Sequence, residues 1–222
     1  CDGVDTYFIA DERLKEKFPK EQETVATGIP LRAGFGKLEK VICRKELNWK
    51  EEDKICLLMG GGEGLLPMED IVTALLKNKP YNLRLVALTG NNQNLTKALK
   101  TKFANSVEVF SYTDKVPQIM CGADMIISKA GGVSSAEVLA SNLEFIIYKP
   151  LPGQEENNAK FLANYCEATI ANSTEEIAQK VQAMCLYNEE KLSQGKKFYG
   201  KPSASKEVCD FVLKRLKNIL PS

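Results

Sequence analysis

The sequence predicts an α/β fold, a parallel sheet of about six strands with helices on both faces. Three observations predict it. Short apolar runs alternate with helix-length amphipathic segments between residues 55 and 170. Those runs do not alternate in polarity along their length, which is the pattern of strands covered on both sides, as in a parallel sheet. Several of them end in loops of glycine and small polar residues that lead directly into a helix.

In chain order, Ile55-Cys56-Leu57-Leu58-Met59 is the first buried strand and stops at Gly60-Gly61-Gly62. Residues 67–77 read as a helix with Ile71, Ala74, Leu75 and Leu76 on one stripe. The strand at 83–88 closes at Gly90-Asn91-Asn92 and is followed by a helix over 95–103. A short strand at 107–110 precedes a short helix over 113–121, started by Thr113 or Asp114. The strand at 125–127 leads through Gly131-Gly132 into a helix over 134–140. Residues 145–147 form the next strand, followed by Lys149-Pro150-Leu151-Pro152-Gly153 and a helix over 157–164. The last strand is 168–170, and Ser173-Thr174-Glu175-Glu176 is a helix start. The remainder is helical, interrupted around Gly200-Lys201-Pro202-Ser203. Strands and helices in this succession make one Rossmann-like domain.

The first 36 residues read differently. A strand at 6–10, a helix at 12–18 and a strand at 24–27 give way to a segment carrying Gly28, Pro30, Gly34 and Gly36. Residues 1–36 are therefore expected to be the end of an amino-terminal domain plus an interdomain linker, and residues 37–222 the Rossmann-like domain with a final helix from about 203. The opening Cys1-Asp2-Gly3-Val4-Asp5 has neither the basic start nor the apolar stretch of a signal peptide and no Met, so a piece of a longer chain is expected.

Composition excludes several classes. The chain has 222 residues, with 30 Lys+Arg against 29 Asp+Glu for a net charge of +1. That balance gives no footprint for nucleic acid, and no nucleic-acid partner is expected. No apolar run reaches the roughly 18 residues of a membrane span. There is no histidine, which removes Ser-His-Asp and Cys-His catalysis and His-ligated zinc from this chain. The seven cysteines form no CxxC pair. Their number and spacing fit reduced, buried thiols in a cytoplasmic protein better than a disulfide framework, and Cys56, Cys121 and Cys209 sit among apolar neighbours.

Three strand-to-helix junctions carry the chemistry. In a parallel sheet, ligands bind outside the carboxyl ends of the strands. The first junction, Gly60-Gly61-Gly62-Glu63-Gly64, allows close backbone approach to a ligand, with a tight structural turn as the plain alternative. The second runs from Ser128 through Lys129-Ala130-Gly131-Gly132-Val133-Ser134-Ser135-Ala136 to Glu137. Amides, the hydroxyls of Ser134 and Ser135 and the helix dipole all favour a diphosphate there, each helix-end contact contributing about 0.3–1 kcal/mol. Glu137, expected in the first turn, either compensates the dipole or accepts hydrogen bonds from ribose hydroxyls. The third, Pro152-Gly153-Gln154-Glu155-Glu156-Asn157-Asn158, puts an amide beside a carboxylate, a combination able to read several hydroxyls of one sugar ring. A solvated acidic helix start is the alternative.

On these residues the sequence resembles the carboxyl-terminal half of GT-B glycosyltransferases. Gly60–Gly64, Lys129-Ala130-Gly131-Gly132 with Glu137, and Pro152-Gly153-Gln154-Glu155 with Asn158-Ala159 are similar to the motifs of the monogalactosyldiacylglycerol synthases and processive diacylglycerol glucosyltransferases. Thr27-Gly28-Ile29-Pro30-Leu31 resembles that family's linker. The resemblance implies an inverting hexosyltransferase of glycolipid synthesis, with a UDP-hexose donor and diacylglycerol as acceptor. By position, Glu137 would hold the ribose, Gln154 and Glu155 (with Asn158 beside them) the hexose, Gly131, Gly132, Ser134 and Ser135 the diphosphate, and Phe110 would lie beside the uracil. The Gly60–Gly64 loop would face the interdomain cleft. No cofactor and no metal at the donor is implied, backbone dipoles stabilising the charge instead. The resemblance also implies a cytoplasmic protein, compatible with peripheral attachment at a membrane surface. The family's amino-terminal domain binds the lipid acceptor and carries the catalytic base. It has no counterpart in this sequence, so catalytic residues stay unassigned and the chain alone is expected to bind nucleotide without transferring sugar. A natural half-enzyme with a separate acceptor subunit and a non-catalytic nucleotide-sugar-binding module are the alternatives.

Overall fold

The computed structural model describes residues 3–61, 66–186 and 199–219. The expected site residues Gly62, Glu63 and Gly64 lie outside them.

Six strands form one wholly parallel sheet: β3 (Lys54–Met59), β4 (Leu83–Leu88), β5 (Val107–Phe110), β6 (Met125–Ser128), β7 (Glu144–Tyr148) and β8 (Thr169–Ala171). Their spatial order is β5-β4-β3-β6-β7-β8. The chain thus winds outward from β3 to the β5 edge, returns, and winds outward again from β6. The reversal leaves a crevice between β3 and β6 at the carboxyl ends of the strands, the place where such sheets take ligands. Register aligns Met59, Ser128 and Ile147 across that end. The Ser128 hydroxyl donates to the Met59 carbonyl at 2.7 Å, closing the sheet beneath the crevice.

Alternate residues of the strands feed two cores, one per face. Ile55, Leu57, Met59, Ile126, Phe145 and Ile147 pack on one side with Phe35, Trp49, Ile119 and Met120. Cys56, Leu58, Leu85, Ile127 and Ile146 pack on the other with Met68, Ile71, Leu99, Ile177 and Val181. Burying each large aliphatic side chain contributes roughly 1.5–3 kcal/mol. The first face is covered by α1 (Lys40–Glu46), α4 (Val116–Gly122), α5 (Gly132–Ala140) and α6 (Gln154–Tyr165), and the second by α2 (Met68–Lys77), α3 (Gln93–Phe103) and α7 (Thr174–Leu186).

Several details differ from the sequence expectation. Helix α4 starts at Val116 with Lys115 as its cap residue, not at Thr113 or Asp114. Helix α1 was not expected, because its polarity is inverted: Val41 and Ile42 are exposed while Arg44 is only 4% exposed. Arg44 is satisfied instead by the carbonyls of Gly122 and Glu51 and by Asp124 Oδ2 at 2.7 Å, the same oxygen that accepts the Ile55 amide. Helices α5 and α6 both begin two or three residues early, at Gly132 and Gln154, so Glu137 stands in the second turn of α5 and compensates no dipole. Finally, Cys56 is buried, but Cys121 is partly buried and Cys209 exposed.

At the amino end, β1 (Thr6–Phe8) and β2 (Glu23–Val25) pair in parallel as a separate two-stranded sheet, joined by a 3-10 helix (Glu12–Lys17). The segment that follows is clamped to the last helix, α8 (Ala204–Ile219). Lys201 Nζ donates to the Ala26 carbonyl at 2.8 Å, and Ser205 Oγ accepts from the Leu31 amide and donates to the Leu31 carbonyl. Gly28 has φ +91°, and a Cβ there would stand 2.8 Å from the Lys201 side chain, so both conformation and space require glycine. The far part of α8 meets the small sheet through an edge-to-face Phe8–Phe211 contact at 5.4 Å and an Arg215–Glu23 ion pair at 2.7 Å.

Candidate donor-binding site

The ends of β3, β6 and β7 are neighbours, so the three junctions open on one rim. Gly60 and Gly61 leave β3, Gly131 and Gly132 leave β6, and Gly153 to Glu155 follow β7. Packing does not explain the glycines of the second junction. Gly131 has φ −70°, and a Cβ on it would meet nothing within 4 Å. One on Gly132 would meet only the Ile29 methyl, at 3.9 Å. The protein itself would accept larger residues here. Space and bare amides are left over the start of α5, whose cap residue Gly131 offers no side chain to its first amides. That combination suits an anion.

Glu137 lies on α5 just behind this end and is 4% exposed. It is not idle: Arg32 Nε and Nη2 both donate to Glu137 Oε1, at 3.1 and 2.9 Å. Arg32 was missed in the sequence because it sits in a stretch rich in glycine and proline that carries no periodic signal; a lone cation in a linker was the one available clue. Ser134 is partly exposed at the rim. Ser135 is buried, its hydroxyl without a hydrogen-bond partner, on the wall of a cavity of about 160 Å³ that also touches Gly132, Asn158 and Phe161.

At the third junction Gln154 is exposed, and Glu155 Oε2 accepts the Leu151 amide at 2.9 Å, folding the loop back over the start of α6. Asn158 Nδ2 donates to the Ala130 carbonyl at 2.9 Å, and Lys129 Nζ to the Lys149 carbonyl at 2.9 Å. These two bonds tie the second and third junctions together. Phe110 stands apart. It ends β5 at the edge of the sheet, three strand spacings or about 14 Å from β6. Its carbonyl accepts from the Thr89 amide and hydroxyl at 3.0 and 3.1 Å.

The larger cleft, about 520 Å³, lies at the opposite end of the sheet among Lys54, Asp124 and Glu144 at the strand starts. Sheets of this kind take ligands at the carboxyl ends of their strands, the end that carries the glycine rim. Among the described residues no cluster of three or more metal-ligating side chains occurs, and no helix is long and apolar enough to cross a membrane. Burial pushes the Cys43 thiol up to about 12 and Cys185 up to about 11, so neither is a thiolate nucleophile near neutral pH.

The chain is 29% identical over 203 residues to the processive diacylglycerol beta-glucosyltransferase of Bacillus licheniformis, covering 87% of this chain and 52% of that protein. It is 30% identical over 205 residues to the enzyme of the same name from Bacillus subtilis, covering 88% of this chain and 53% of that protein. It thus spans about half the length of these relatives. Among solved structures, Acinetobacter baumannii MurG superimposes with a TM-score of 0.61 at 22% identity over 89% of this chain and 57% of its own. The UDP-GlcNAc 2-epimerase from Neisseria meningitidis bound to UDP-GlcNAc gives 0.63 at 16% over 95% and 61%. These two likenesses establish the fold. Residues 55–208, from the first residues of β3 into α8, match the glycosyltransferase family 28 C-terminal domain, and the chain belongs to that family.

Proposed function

We propose that this chain is the donor-binding half of a glycosyltransferase of glycolipid synthesis, which transfers glucose or galactose from a UDP-hexose to diacylglycerol with inversion. The observation that carries the reading is the convergence of three open junctions on neighbouring strand ends, with spare glycines and uncapped amides beside a buried carboxylate. Gly131, Gly132 and Ser134 would face the diphosphate and Gly60–Gly61 its other side, Glu137 the ribose, and Gln154 with Glu155 the hexose. The names of the relatives support the lipid acceptor, and UDP or UDP-sugars in structural neighbours support the donor.

In this reading the domain's contribution is electrostatic. As the sugar–phosphate bond breaks, charge builds on the departing diphosphate, and fixed amides at a helix start stabilise it without reorganising. Residues 1–36 are the end of an acceptor-binding domain and the linker. Acceptor binding and proton removal fall to that domain, and attachment at the membrane periphery follows from the acceptor. Titration with UDP by calorimetry tests the reading: saturable one-to-one binding supports it, and no heat at millimolar UDP ends it.

A further inference from the structure

Arg32 is fixed from the far end of the chain. Its neighbour Leu31 is held through amide and carbonyl by Ser205 of α8, and Gly28 packs against Lys201. From that clamped backbone the guanidinium passes over the buried Phe35 ring, 5.5 Å from its centroid, and reaches Glu137 on α5. The two ends differ sharply in exposure, 59% for the arginine side chain and 5% for the carboxylate. Among the described residues no other group hydrogen-bonds that carboxylate. A buried charge needs such a partner. Arg–carboxylate pairs frequently fork in parallel across both oxygens. Here both nitrogens donate to Oε1, so Oε2 receives neither bond and keeps its lone pairs for another donor.

We infer that Arg32 is a positioning residue: it holds Glu137 turned so that Oε2 accepts from the ribose hydroxyls of a uridine diphosphate. Because Arg32 rides on the linker clamped to α8, ribose recognition is tied to the joint between the small sheet and the large one. The inference rests on the ribose role proposed above for Glu137.

The experiment compares UDP with 2′-deoxy-UDP by calorimetry on the whole chain. The wild type is expected to prefer UDP by about tenfold, the scale of one hydrogen bond to a charged group. Arg32→Leu should bring that ratio close to one, as should Glu137→Gln, and the double variant should be no worse than Glu137→Gln alone. Arg32→Lys, which keeps charge but not the two-nitrogen contact, should recover part of the ratio. Arg32→Leu with the wild-type ratio, or with both nucleotides weakened by one common factor, overturns the inference while leaving the ribose role intact. A wild type indifferent to the 2′-hydroxyl removes both.

Discussion

Arg32 and Glu137 are 105 residues apart in sequence and meet through two hydrogen bonds to a single carboxylate oxygen. One is on the linker and mostly exposed, the other on α5 and buried. The geometry leaves half of the carboxylate for a ligand, and on the reading above that ligand is a ribose. Glu137→Ala is therefore expected to weaken UDP about 10- to 100-fold, the range of a charge-assisted hydrogen-bond pair. Calorimetry measures it directly, and an unchanged dissociation constant would remove the ribose assignment.

Gly132 makes the opposite kind of prediction. A Cβ there fits the protein, its nearest atom being a methyl at 3.9 Å. Gly132→Ala should keep or raise stability by up to about 1 kcal/mol, because it narrows the unfolded ensemble. The same methyl would stand where the diphosphate approaches the amides. UDP affinity should drop while the urea midpoint holds or rises. A variant that is as tight as the wild type would place the phosphates elsewhere.

Asp124 anchors the other end of the sheet. Its carboxylate takes Arg44 at 2.7 Å, the Ile55 amide at 2.7 Å and Lys40 at 2.5 Å. Arg44 is buried, so removing its counter-charge leaves an uncompensated cation, which costs about 3–5 kcal/mol. Asp124→Ala should lower the unfolding free energy by that much, and the urea midpoint with it, with UDP affinity per folded molecule unchanged, since the proposed site is at the opposite strand ends. A loss under 1 kcal/mol would mean that water reaches Arg44.

This hub also marks what could be read in the sequence and what could not. The six strands were legible because a buried parallel strand is a run of apolar residues, as in 55–59, and the rim was legible because glycines follow those runs. Helix α1 was illegible because Arg44 is buried by long-range partners at Gly122 and Asp124 while Val41 and Ile42 face outward, so local polarity pointed the wrong way. Arg32 was illegible for the same reason: its importance comes from a contact across 105 residues. Glu137 was expected in the first turn of its helix and stands in the second, because a helix can open on a glycine that propensity disfavours.

Thiol chemistry follows burial. Cys43 and Cys56 are buried and burial raises both, Cys43 to about 12, whereas Cys209 is exposed on α8. A raised thiol is protonated below its own value, so at pH 8 these two present almost no thiolate. Brief maleimide labelling at pH 8 should modify the Cys209 peptide and spare those of Cys43 and Cys56 until urea is added. Mass spectrometry of the digest reads the order, and early labelling of Cys43 would show that α1 opens from α4.

Gln154 bears on sugar choice rather than nucleotide affinity. It is exposed at the first turn of α6, where the loop from Lys149 is pinned by Lys129 and by Glu155, so its backbone is fixed while its side chain stays exposed. An amide offers both a donor and an acceptor, which suits adjacent sugar hydroxyls. Gln154→Ala should leave UDP binding within about twofold and weaken a UDP-hexose by about 5- to 10-fold, the scale of one or two neutral hydrogen bonds. The informative quantity is the ratio of the two affinities. If UDP and UDP-hexose weaken together, Gln154 acts on the fold of the loop or on the diphosphate. If the ratio alone moves, the carboxyl end of β7 is the sugar end of the pocket, and comparing UDP-glucose with UDP-galactose on the same variant then shows whether this side chain distinguishes the two.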